Sequence, residues 1–335
     1  MGFHEMVDAD EQTRFEGYAR ELGEIQRRRA AKSGTTSRAL HVKPHVGVVG
    51  ELRIDAGANA RAGIFAEART WPVYVRFSNG ASARQADKLP DARGFAVKLV
   101  GVPGKKVIVG LENELTQDFL FIEQSALPFR DPHEFMGFVR AAKDGPAKLL
   151  PRLFGHFGLV RGIGLLRRLL AAPRVTSFAT HAFHTGAPIS FGETAAKLAL
   201  FPDASPASPH PGGDHALRDD LVRRLRSGAL TWTLRAQLFA DDASTPIEDT
   251  SVVWSGPWID LGKLTLPKQD PDSERGREIS VLVEQLSFDP WHAVEAHRPL
   301  GAIMRARAVA YRESVLARKA APEPREVLSL VSPLE

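Results

Sequence analysis

The sequence predicts an α+β fold: an antiparallel β-barrel or sandwich with helices packed outside it. Three observations carry this. Short segments rich in Val, Ile and Phe, punctuated by Gly, Pro, Asn and Asp, run from about residue 38 to 123. A helical stretch at 129–172 interrupts them, and strand-like segments resume beyond it. Strands on both sides of a helical insertion, without a regular βαβ alternation, favour an antiparallel sheet.

Taken in order, residues 9–31 read as a helix, because Phe15, Tyr18, Leu22 and Ile25 recur every three or four positions. Arg27–Arg29 suit its C-terminal dipole and Gly34 stops it, so 1–35 is a docking arm. "HVGVVGELRID" (45–55), "VYVRFSN" (73–79), "GFAVKLVG" (94–101), "KKVIVG" (105–110) and "DFLFIE" (118–123) read as strands. "HEFMGFVRAAK" (133–143) and the apolar, basic "PAKLLPRLFGHFGLVRGIGLLRRLL" (146–170) read as helices. The second could touch a membrane surface or a partner helix, or simply pack. "AFHTGAPISF" (182–191), "AAKLALFP" (195–202), "LTWTLRAQLFA" (230–240), "SVVWS" (251–255) and "LGKLTLPK" (261–268) continue the strands, with a Pro-rich loop at 202–215 and a charged helix at 216–227. "EISVLVEQLSF" (278–288) reads as a last strand before a long helix. The barrel domain is 36–322, followed by a tail at 323–335.

Composition narrows the function. The chain has 335 residues, 43% hydrophobic and 25% charged, as in ordinary globular proteins. No apolar run reaches the ~18–20 residues of a membrane span, and the polar start is unlike a signal peptide. There is no cysteine, which excludes disulfides, zinc–thiolate sites, iron–sulfur clusters and cysteine nucleophiles, and leaves the cytoplasm as the expected compartment. A net charge of +4 suits an acidic small ligand and is too weak to suggest nucleic-acid binding. Dinucleotide, phosphate-loop and nucleophile-elbow motifs are absent. His292 and His297 lack the acidic neighbours of a zinc site.

Four places could carry chemistry. In "RARAVAYRESVLARK" (305–319), Arg307, Tyr311 and Arg318 are four and seven apart and share one helix face. That is either a solvated stripe or a phenolate held by cations. In "RALHVKPHVGVVGEL" (38–52), Arg38 precedes His41 by three, and either His41 or His45 could be a general base or a structural residue. In "VYVRFSNG" (73–80), Arg76 and Ser78 share one face of a strand, where an arginine among apolar neighbours calls for an anion. The fourth is "DARGFAVKL" (91–99).

Together these stretches resemble the haem catalases. "RALHVKPHVGVVGEL", "VRFSNG", "DARGFAVKL", "DTSVVWSGPWIDLGKLTLPK", "VEQLSFDP" and "RAVAYRESVLAR" are similar, in that order, to the family's distal segment, barrel strands and proximal helix. The resemblance covers roughly 36–140 and 228–320. It implies a barrel of about eight strands and haem b as cofactor, with Tyr311 as axial ligand of a ferric iron and Arg307 beside it favouring the phenolate. It implies that Arg38, Arg76 and Arg318 bind the haem propionates, as arginine binds carboxylates bidentately. His41 takes the role of the distal base and Ser78 orients it, while Phe138 is a candidate for aromatic packing over the haem.

The sequence departs from the family at the distal asparagine. "ENELTQDFLFI" offers Thr116 by counting, or Asn113 three residues earlier, and the choice stays open. Val315 also stands where a histidine is usual. The chain resembles the small catalase-like peroxidases. The expectation is therefore peroxidase activity on hydrogen peroxide or organic hydroperoxides with an electron donor, weak catalase activity, no NADPH, and a homodimer or homotetramer. A fatty-acid hydroperoxide isomerase or dehydratase on the same scaffold, and a non-catalytic haem-binding barrel, are the alternatives.

Overall fold

The computed structural model describes residues 2–34, 36–55, 62–142, 146–205 and 212–331. Residues 206–211 of the Pro-rich loop and 332–335 of the tail lie outside the described residues. The chain begins with helix α1 (Glu11–Ser33), followed by strands β1 (Pro44–Ile54), β2 (Arg69–Asn79), β3 (Arg93–Val100) and β4 (Thr116–Ile122). Helices α2 (Pro132–Ala142) and α3 (Pro146–Leu170) form the insertion. Then come β5 (Phe183–His184), β6 (Ile189–Phe191), β7 (Thr194–Pro202), α4 (Ala216–Ser227), β8 (Leu230–Leu238), β9 (Trp258–Leu266), α5 (Glu274–Gln285) and α6 (Ala302–Arg318).

The sheet closes on itself. Its order is β5-β4-β3-β2-β1-β9-β8-β7, and β7 pairs back to β5, making an eight-stranded antiparallel barrel with the short β6 on the same edge of β7. Closure removes the free edges that an open sheet would expose. Alternation along the strands fixes the two faces. Val73, Val75 and Phe77 of β2 point inward with Phe95 and Val97 of β3 and Phe119 and Phe121 of β4. Phe77 and Phe95 meet at 4.4 Å between ring centroids, and Trp232 and Phe183 pack on Phe95. The interior is thus a core of side chains. Tyr74, Arg76 and Ser78 occupy the outer face, and that face carries the site.

Three expected strands are absent. Residues 278–288 are not a strand, since α5 spans Glu274–Gln285. Ile279, Val281 and Val283 fit a period of two, but Ile279 and Val283 also stand one helical turn apart, and only these two are buried, while Val281 is exposed. Ser273 caps the helix by accepting from the Gly276 amide. Non-local packing decides the matter. A Cβ on Gly47 of β1 would lie 2.5 Å from the Val283 Cβ, so the bare backbone of β1 lets α5 lie close against the barrel wall. "KKVIVG" forms a turn-rich loop with one bridge, Lys106 to Val294. "SVVWS" is also a turn, closed by Asp249 accepting from the Ser251 amide and hydroxyl. "AFHTGAPISF" is two short strands, β5 and β6, rather than one.

Helix α1 packs along α6, with Gln26 Nε2 donating to the Ser37 carbonyl at 2.6 Å. The described tail closes over the outer barrel wall. Val327, Leu328 and Leu330 pack against the cluster of Val49, Tyr74 and Val100, and the Leu328 amide donates to Tyr74 Oη.

Candidate functional site

His41 lies just before β1 in a left-handed backbone conformation (φ 56°). Such a backbone is uncommon outside glycine and costs strain that its surroundings must hold. Two backbone hydrogen bonds hold it: its amide donates to the Gly80 carbonyl at 3.0 Å, and its carbonyl accepts from Arg76 Nη2 at 2.9 Å. Its Nδ1 is hydrogen-bonded with Ser78 Oγ at 3.0 Å. The imidazole lies on Gly94 of β3, where a Cβ would come within 2.6 Å of Nδ1 and 2.7 Å of Ser78 Oγ. A glycine is therefore required there by contact, in the "DARGFAVKL" stretch singled out by sequence. Burial, reinforced by the cations Arg76, Arg307 and Arg38, depresses the His41 pKa to about 3, so the ring is neutral at pH 7.

The other half of the site stands on α6. That helix starts at Gly301, whose positive φ of 85° and close approach to the Ile247 carbonyl suit only glycine. Carboxylates cap its free amides: Glu5 accepts from Gly301 and Glu248 from Ala302. Arg305 pairs with Glu5, Glu11 and Glu248, tying the helix start to the N-terminal arm. One turn on, Arg307 Nη2 donates to Tyr311 Oη at 2.8 Å, and its guanidinium carbon lies 5.1 Å from the Tyr311 ring centroid. Every residue from Arg305 to Tyr311 is only half-buried. His41 and Arg307 are close enough for the charge of one to act on the other.

The three remaining arginines converge. Arg38 donates to Glu284 Oε1 at 2.6 Å, and Arg76 donates to Glu284 Oε2 at 2.8 Å. Arg38 and Arg318 also donate to the Leu286 carbonyl, at 2.7 and 2.6 Å, covering the C-terminal end of α5 where cations are favourable. Burial and the neighbouring Arg76 hold the Arg38 pKa well below its ordinary value, and burial brings Arg318 to about 10. Burial alone would raise the Glu284 pKa, but the charges of Arg76 and Arg38 overcome it and hold it low. The arrangement is a carboxylate-binding cluster with a carboxylate in it. Sequence reasoning missed Glu284, because "EISVLVEQLSF" was read as a strand. The i, i+4 spacing of Ile279 and Val283 was the available signal.

The structure does not bring the remaining sequence candidates to His41. Thr116 is fully buried, its hydroxyl hydrogen-bonded with His292 Nε2 at 3.0 Å and donating to Glu323 Oε2 at 2.9 Å. It pairs with Val100, whereas Gly94 pairs with Ile122. Six residues of strand, ~20 Å at ~3.3 Å each, separate the two levels. Asn113 is exposed in a turn. Phe138 packs on Phe129 at 5.3 Å in the cluster between α2 and α3. His45, the other candidate base, is buried against Asn79 Oδ1 at 2.7 Å. Among the described residues no group of three His, Asp or Glu side chains could hold a metal ion.

Thr116 belongs to a separate buried network. Lys98 pairs with Asp118 at 2.7 Å and Glu323 at 2.6 Å, and Ser287 donates to Glu323. Burial raises Asp118 to about 6 despite Lys98, while Lys98 and His292 outweigh burial at Glu323 and hold its carboxyl very low.

No family model matches the chain, and no curated protein does. Solved structures do. A fungal catalase superposes with TM-score 0.64 at 18% identity, covering 87% of this chain and 61% of its own. A bacterial catalase gives 0.64 at 17%, covering 89% and 60%. Catalase A from Saccharomyces cerevisiae gives 0.61 at 16%, covering 87% and 62%. The chain spans about three-fifths of the length of each of these catalases. Its eight-stranded barrel, with α5 and α6 packed outside the wall, has the catalase fold.

Proposed function

We propose that the protein is a haem-dependent peroxidase that reduces hydrogen peroxide or organic hydroperoxides at the expense of an electron donor, with weak catalase activity. One observation carries this reading: a neutral histidine on the barrel wall lies within range of the charge of Arg307, which donates to Tyr311 on α6, while Arg76, bonded to the same histidine's carbonyl, shares the Glu284 carboxylate with Arg38.

The residues present fit haem. Tyr311 with Arg307 donating to its oxygen is a hard oxygen donor suited to ferric iron. Arg38, Arg76 and Arg318 would hold the propionates, and the Glu284 carboxylate between Arg38 and Arg76 is the chemical stand-in for one of them. Bare Gly94 leaves the imbedded His41 ring its place on the wall. Haem, when bound, supplies the redox-active iron at which a peroxide O–O bond is broken.

The chain's own groups move the protons. His41 accepts the proton of the incoming hydroperoxide and returns it to the leaving oxygen, so ROOH with two protons and two donor electrons gives ROH and water. Ser78 fixes the ring through Nδ1, leaving Nε2 for this transfer. The cations that depress His41 include Arg76 and Arg38, the same residues proposed to meet carboxylates.

The test is an absorption spectrum after reconstitution with haemin, then turnover of cumene hydroperoxide with and without a reducing donor. The expected result is a Soret band with the charge-transfer features of tyrosinate-ligated ferric haem, and donor-dependent reduction faster than dismutation of hydrogen peroxide. Faster dismutation would reverse the ranking. Rearranged epoxide or ketol products from a polyunsaturated hydroperoxide without donor would make the protein an isomerase. Failure to bind haemin would reduce the likeness to fold alone.

A further inference from the structure

Helix α3 presents an apolar face that the rest of the described protein does not cover. Leu159 and Val160 are 67% and 85% exposed, and Leu150, Ile163 and Leu170 are exposed beside them. The opposite face is engaged: Leu153 and Leu165 are buried with Phe129 and Ala141 against α2. In a surface helix of a globular domain the uncovered face is ordinarily polar.

The stretch Lys148–Leu170 is long and apolar enough to cross a bilayer, which the sequence reading did not expect. It is not one straight rod, however. Gly158 adopts φ 71° and ψ 173°, outside helical geometry, and divides the helix into residues 146–157 and 159–170. Each twelve-residue half is ~18 Å long at ~1.5 Å per residue, short of the ~30 Å hydrocarbon core. Both halves are also anchored to α2 through buried leucines. Neither half can span a bilayer, and an element of this kind is suited at most to lie along its surface.

Charge selects the occupant. Residues 146–170 contain five cations and no Asp or Glu. Lys148, Arg161 and Arg167 are exposed among the apolar side chains. A second copy of this chain would set like charges against like across such a face. An anionic lipid surface supplies both an apolar phase for the leucines and phosphates for the arginines.

We propose that the elbow of α3 docks the protein on anionic membranes, with Leu159 and Val160 entering the headgroup–acyl boundary and Arg161 and Arg167 meeting lipid phosphates. The proposal goes beyond the peroxidase reading and does not depend on haem. It would place the protein where lipid hydroperoxides form.

The experiment is co-sedimentation of the full chain with vesicles of equimolar phosphatidylglycerol and phosphatidylcholine, and with phosphatidylcholine alone. The protein should pellet with the anionic vesicles, and molar salt should weaken the binding. L159D/V160D should lower partition at least tenfold, and Arg161→Gln with Arg167→Gln should flatten the salt dependence. Both sets lie on the surface, so circular dichroism should be unchanged. Leu159→Trp gives an independent reading, since its emission should shift to the blue, relative to the wild type, on anionic vesicles only. Absence of wild-type pelleting, or pelleting unaffected by L159D/V160D with no blue shift for Leu159→Trp, would overturn the proposal. So would a lipid-free dimer abolished by L159D/V160D, which would make the face a contact between copies.

Discussion

Replacing Glu284 by Gln removes one negative charge and almost no volume. Glu284 accepts from Arg38 at 2.6 Å and from Arg76 at 2.8 and 3.3 Å. A hydrogen bond to a charged group contributes ~1.5–3 kcal/mol when buried, and breaking a buried ion pair costs ~3–5 kcal/mol. The Glu284 side chain is 39% exposed, so solvent screens both terms, and ~1–3 kcal/mol is the fitting range. For a chain of 335 residues that lowers Tm by about 1–4 °C in the ligand-free protein. The same substitution should strengthen haemin binding. Arg38 and Arg76 are then left without their carboxylate, and propionates would relieve the repulsion between them. Recovery of even ~1.4 kcal/mol is a tenfold gain in affinity. Thermal unfolding of the ligand-free protein and titration with haemin followed at the Soret band check both halves. A lower Tm together with weaker haemin binding would refute the reasoning, because Glu284 would then be holding the arginines in place rather than standing where a ligand carboxylate goes.

Three further outcomes are expected. Tyr311→Phe, which deletes the oxygen held by Arg307, should abolish the tyrosinate charge-transfer bands of the reconstituted protein; an unchanged spectrum would remove Tyr311 from the site. His41→Ala should slow reaction with cumene hydroperoxide by ~10²–10⁴-fold, and Gly94→Ala should do the same at a stability cost of ~1–3 kcal/mol, since its methyl would displace the imidazole in a buried site; full reactivity in either would sink the general-base role. His297 is buried and held at about 4. Below pH 6.5 the unfolded chain takes up its proton while the native state refuses it, so stability present at pH 7 is lost as the pH falls toward 4. At pH 5 that loss is ~2 kcal/mol. His297→Gln should therefore lose ~2 kcal/mol less than the wild type between pH 7 and pH 5 in urea melts, and equal losses would show that His297 does not stay neutral.

The barrel strands nearest the site could be read from local pattern, since Val73, Val75 and Phe77 alternate with Tyr74, Arg76 and Ser78 and each set has one destination. The pairing of Arg307 with Tyr311 could also be read, because helical geometry alone brings residues four apart into contact. What escaped depended on partners far away in sequence. Ile279, Val281 and Val283 satisfy both a strand and a helix, and the choice rests on Gly47 leaving room for Val283. The resemblance had already grouped Arg38, Arg76 and Arg318, but with α5 misread the Glu284 carboxylate among them could not be foreseen. Gly158 likewise gave no sign that it would break α3, because glycine is tolerated inside helices and only its observed backbone angles show the elbow.

Counting along the sequence offered Thr116 as the distal polar residue, and register shows why counting fails there. Strand β4 pairs antiparallel with β3, so its first residue lies level with Val100, at the far end from Gly94 and His41. The Thr116 hydroxyl is engaged with His292 and Glu323, and Glu323 is in turn held by Lys98 and Ser287. Efficient dismutation requires a second hydrogen peroxide positioned beside the base, and positioning is where most of the rate of such a step lies. Thr116→Asn, which restores the residue type usual in the catalases, is therefore expected to leave dismutation unimproved. It should also cost ~1–3 kcal/mol of stability, because a larger side chain must enter a buried site whose hydroxyl is already bonded to His292 and Glu323. Oxygen evolution from hydrogen peroxide and a urea melt of the same variant decide the matter. A clear rise in oxygen evolution would mean that Thr116 reaches the peroxide after all, and that the network with Glu323 opens when the site is loaded.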